Sequence, residues 1–71
     1  MKLWWIKERQ NPQLGTYYVA CGQMSKKEAL RKEETLYGSN IMRSYKTERD
    51  YKAQLEALRK NGERVRGGEY G

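Results

Sequence analysis

The sequence predicts an α+β fold of the pattern ββαβα: a three-stranded sheet in the order 2-1-3, with two helices packed on one face. Three observations predict it. Two runs rich in strand formers, residues 3–8 and 16–21, flank a turn-forming segment. Helix-start signals stand at Ser25 and Thr47. Between the two helical stretches, residues 40–46 read as a third, shorter strand.

The first strand carries Trp4, Trp5 and Ile6 in succession, apolar on both faces as a central strand requires. Asn11-Pro12 and Gly15 then supply a turn initiator and a residue that accepts positive φ, so residues 9–15 read as a hairpin loop. Ser25 and Glu28 have the spacing of a capping box. The helix they open carries Ala29, Leu30, Leu36 and Tyr37 near a 3.6-residue period, and Gly38 is placed to end it. Thr47 caps a second helix whose first turn holds Glu48 and Asp50, a charge pattern that suits the macrodipole. Tyr51, Leu55 and Leu58 share one face of that helix, and Asn61-Gly62 stops it. A crossover from the second strand to the third through a helix favours a parallel relation between them. Residues 1–62 are thus expected to form one compact domain, and residues 63–71 a flexible Gly-rich tail.

Composition narrows the function. The chain has 71 residues, one cysteine (Cys21) and no histidine. An internal disulfide is therefore excluded, and a zinc set within one copy is not expected. No phosphate loop, nucleophile elbow or carboxylate pair on a shared helix face is present, so the expectation is a protein that is not an enzyme and takes no cofactor. No apolar run reaches the roughly 20 residues that span a bilayer, and a lone thiol suits a reducing cytoplasm. Fifteen Lys and Arg against nine Asp and Glu give a net charge of +6. That surplus favours a polyanionic partner.

Most of the surplus lies on the strands. Lys2, Lys7 and Arg9 stand against Glu8 alone in the first 24 residues, and Arg43 and Lys46 are unopposed around the third strand. Period-two alternation with Trp4 and Ile6 turned to the helices would send Trp5 and Lys7 to the open face, beside Tyr18, Arg43 and Tyr45. Aromatics stack on bases while Lys and Arg neutralise phosphates, so Trp5, Lys7, Tyr18, Arg43 and Tyr45, with Arg9 and Lys46 at the rim, are the expected nucleic-acid-binding residues for DNA or RNA. The alternative is a protein-binding or dimerising module that uses the same patch.

Residues 4–20 (WWIKERQNPQLGTYYVA) and 45–59 (YKTERDYKAQLEALR) resemble small accessory proteins from bacteriophage genomes. The resemblance implies action in a bacterial cytoplasm, on nucleic acid or on a host protein to be inhibited. It assigns no role to individual residues.

Overall fold

A computed structural model describes residues 2–32 and 38–67 of the chain. The elements are β1 (Leu3–Asn11), β2 (Gly15–Met24), α1 (Lys26–Arg31), β3 (Ser39–Tyr45), α2 (Glu48–Lys60) and β4 (Val65–Gly67). They form a four-stranded mixed sheet in the order β3-β1-β2-β4. The predicted arrangement of the first three strands, with β1 central, is found. Strand β1 is antiparallel to both β2 and β3, which makes those two parallel to each other.

The turn chemistry follows the sequence. Asn11 Oδ1 accepts from the backbone N–H groups of Gln13 (2.8 Å) and Leu14 (2.9 Å), and Gly15 has φ +84°. The capping box of α1 is complete, with Ser25 and Glu28 bonded reciprocally. Thr47 caps α2 by accepting from the Asp50 N–H at 3.1 Å. At the other end of α2, the Gly62 N–H bonds Arg59 O and the Glu63 N–H bonds Leu58 O, a Schellman closure with Gly62 at φ +81°.

Three expectations are corrected. The helices do not share a face. Ala29 of α1 packs with Trp5, Tyr17, Val19 and Cys21, whereas Tyr51, Leu55 and Leu58 of α2 pack with Ile6 and Ala20. Neighbours along a strand point to opposite sides, so these two clusters lie on opposite faces of the sheet. The second correction supplies the reason for the first. Val65–Gly67, expected in the flexible tail, forms β4 and pairs in parallel with Tyr18–Ala20 of β2. The crossover β2-α1-β3 moves across the sheet in one direction, and β3-α2-β4 returns in the other. Two crossovers of one hand that run in opposite directions cover opposite faces.

The third correction concerns the end of α1, which stops at Arg31 rather than at Gly38. Lys32 is an extended C-cap, and Leu36 and Tyr37 lie outside the described residues. The Lys7 ammonium donates to Leu30 O (3.0 Å) and to Lys32 O, so the last carbonyls of α1 are drawn onto a buried cation. Gly38 does have positive φ (+91°), but it serves a close approach instead of a cap. A Cβ there would overlap the carbonyl oxygen of Gln10.

Candidate nucleic-acid interface

The structure separates the residues expected to form one aromatic and basic face. Trp5, Lys7 and Arg9 point to the α1 side and are buried, with 8%, 0% and 2% of their surface exposed. Trp5 Nε1 donates to Met24 O at 2.9 Å, and Arg9 donates to Asn40 Oδ1. These three hold α1 and the start of β3 on the sheet and cannot meet a polymer. The alternation was right within each strand, but β1 is phased oppositely to the assumption, because α1 and not solvent lies over Trp5.

Tyr18, Arg43 and Tyr45 do share a face, the one that α2 crosses. Tyr45 and Tyr18 pack half-buried against the α2 cluster. Burial raises the Tyr18 phenol above its ordinary pKa, Glu8 and Glu63 add to the rise, and Arg43 opposes it. Burial likewise raises Tyr45, again against Arg43. Arg43 is exposed, but its guanidinium stands 3.2 Å from the largely buried Glu8 carboxylate. Its charge is thereby answered within the fold. Lys46 is exposed in the bend between β3 and α2. The expected open face therefore does not exist as a continuous binding surface.

Burying Lys7 and Arg9 leaves all the other Lys and Arg side chains among the described residues exposed. Several of them rim a groove of about 940 Å³ between α2 and the C-terminal half of β2. Its floor is Trp4, Ala20, Cys21 and Gly22, and its walls include Lys32, Arg49, Lys52, Glu56 and Arg59. The groove exists because β2 presents small residues there. The register of β1 and β2 shifts between Trp5 and Ile6, at Cys21, a β-bulge. Gly22 (φ +90°) has open space where a Cβ would stand. Strand β4 covers β2 only at Tyr18–Ala20, so no described strand flanks Cys21–Met24 on that side.

Charge in the groove is mixed but positive on balance. Lys52 Nζ lies 3.1 Å from Glu48, one turn away, and Arg49 Nε lies 4.0 Å from Asp50, while Lys32, Arg59 and Glu56 also line the groove. Trp4 stacks obliquely on Tyr51, with ring centroids 5.2 Å apart, and stays partly exposed at the floor. Lys7 contributes indirectly, because its bond to the Lys32 carbonyl anchors that rim residue.

Sequence reasoning missed Trp4, Lys32, Arg49, Lys52 and Arg59. The i, i+3 spacing of Arg49 and Lys52, with Arg59 a further seven residues on, was visible as one helix face. Its neighbour across the groove could be found only by placing β4. Among the described residues, no helix is long and apolar enough to cross a membrane. Comparison with known proteins adds no assignment: no family model matches the chain, and neither does any curated protein or solved structure.

Proposed function

We propose that this chain is a small basic binding module, not an enzyme, that holds single-stranded nucleic acid in the groove between α2 and β2. The observation that carries the reading is the pairing of a partly exposed tryptophan with cationic walls. An aromatic face accepts any base, and Lys and Arg on both sides track the phosphates, which is the general design of sequence-tolerant single-strand binders. The remaining surface charge adds long-range attraction.

Fluorescence anisotropy of a labelled oligothymidylate, titrated at low and moderate salt, tests the proposal. Binding should weaken with salt, with a logarithmic slope of about −0.7 for each phosphate neutralised. Charge reversal at Arg49 and Arg59 should weaken binding and flatten the slope by roughly one to two contacts. Reversal at Lys26 and Lys27, which lie outside the groove, should do much less. Absence of binding at low salt, or equal losses from the two pairs, would refute the groove as the site.

A further inference from the structure

One part of the groove carries no charge: the backbone of β2 at Gly22. Strand β4 pairs with β2 only at Tyr18, Val19 and Ala20. Beyond that point no described strand flanks Gly22 and Gln23 on the outer side of the sheet. A strand turns the backbone groups of successive residues alternately to its two sides. This stretch therefore presents an N–H and a C=O together, without a ladder partner among the described residues. Gly22 leaves them uncovered, since it is partly exposed and nothing stands within 4 Å of where its Cβ would be. Glycine within a strand often marks a place where a ligand approaches the backbone closely. Trp4 is the register partner of Gln23, so the aromatic floor lies directly beside this bare edge.

We propose that the groove prefers RNA to DNA, because the ribose 2′-hydroxyl bonds to the uncovered edge of β2. The inference rests on the single-strand reading above and names the polymer. The cationic walls already take the phosphates, and a phosphate on the edge would be repelled by the carbonyl oxygen. An edge that offers a donor and an acceptor together suits a neutral group that both gives and takes a hydrogen bond. Ribose carries such a group and deoxyribose does not. A base resting on Trp4 holds its sugar beside Gly22 and Gln23, where the hydroxyl meets the backbone groups. A deoxyribose at the same place displaces water from them and returns no bond, so DNA binds on charge and stacking alone.

The test titrates the full chain into labelled uracil decamers that share base and charge and differ only in the sugar: ribose, 2′-deoxyribose or 2′-O-methylribose. The ribose decamer should bind about fivefold or more tighter than the deoxy decamer, as one net hydrogen bond allows. The 2′-O-methyl decamer keeps the ring pucker of RNA but cannot donate, and it should bind no better than the deoxy decamer. Gly22→Asn is the second arm. Asparagine accepts positive φ more readily than most side chains and fills the space beside the edge, so the ratio of RNA to DNA affinity should fall toward one. Far-UV circular dichroism checks that this variant folds, and the comparison of sugars on wild type stands without it. The RNA preference is overturned, with the groove reading intact, by a deoxy or 2′-O-methyl decamer that binds as tightly as the ribose one. An undiminished ratio in folded Gly22→Asn overturns it equally. Failure of every decamer to bind at low salt would overturn the groove reading and the preference with it.

Discussion

The two faces of the sheet are packed by different means. Beneath α2 the cluster is aliphatic and aromatic: Ile6, Ala20, Tyr51, Leu55 and Leu58, with Trp4, Tyr18, Tyr45 and Val65 around them. Beneath α1 the helix is six residues long and contributes a single buried residue, Ala29. The sheet makes up the deficit with long side chains of its own, among them Trp5, Tyr17, Lys7 and Arg9. A thirteen-residue helix brings its own apolar stripe and excludes water by itself. A short one must be pinned, and its pins are polar: the Lys7 ammonium on the helix carbonyls and the Trp5 indole on Met24. Burying charge is tolerable in a small domain when the charge finishes a helix end that would otherwise lack partners.

Substitutions can break this contrast or sharpen it. The largest effect is expected on the apolar face. Leu55→Ala deletes a buried side chain and should cost about 3 kcal/mol in urea unfolding. Ala29→Gly on the other face should cost only about 1 kcal/mol, chiefly through helix propensity. Equal losses would show that α1 is as much a part of the core as α2. Next comes Lys7→Met, which keeps most of the volume but leaves the Leu30 and Lys32 carbonyls without their donor. It should cost roughly 2 kcal/mol and reduce the helical signal in far-UV circular dichroism. A neutral outcome would mean that packing, not the ammonium, holds α1.

An effect as small as that of Ala29→Gly is expected at the other end of α1, where Ser25→Ala should cost about 1 kcal/mol. It should also alter the response to acid. The Glu28 carboxyl is held below its usual range, first by the Ser25 backbone N–H and then by the Ser25 side chain. A carboxylate with a lowered folded pKa adds stability above its ordinary pKa and loses it as pH falls through the lowered value. Urea midpoints at neutral pH and in mild acid should therefore converge slightly in the variant. An unchanged difference between the two midpoints would mean that the Ser25 side chain adds nothing to the effect of the backbone N–H, which the variant keeps.

Local chemistry was legible in the sequence, and long-range placement was not. The Asn11 turn, the Ser25 box, the Thr47 cap and the Gly62 stop each depend on residues within a few positions of one another. The order of β2, β1 and β3 also followed, because three apolar residues in a row on β1 demand neighbours on both sides. Val65-Arg66-Gly67 has one apolar residue and little strand propensity, so β4 is set by pairing with β2 and not by its own composition. Missing it removed the return crossover, and with it the reason to put α2 on the far face. That one omission inverted the phase of β1 and turned Trp5 and Lys7 from core residues into candidate site residues. The groove was illegible for the same reason, since Trp4 and Arg59 meet only when both crossovers are drawn.

The late position of β4 also sets how far apart in the chain the partners of each face lie. Every residue of the α1 cluster falls between Leu3 and Met42. The α2 cluster reaches from Trp4 to Val65. Contacts of longer sequence separation cost more loop-closure entropy before they are rewarded, so the better-packed face of the sheet is also the one that is harder to close.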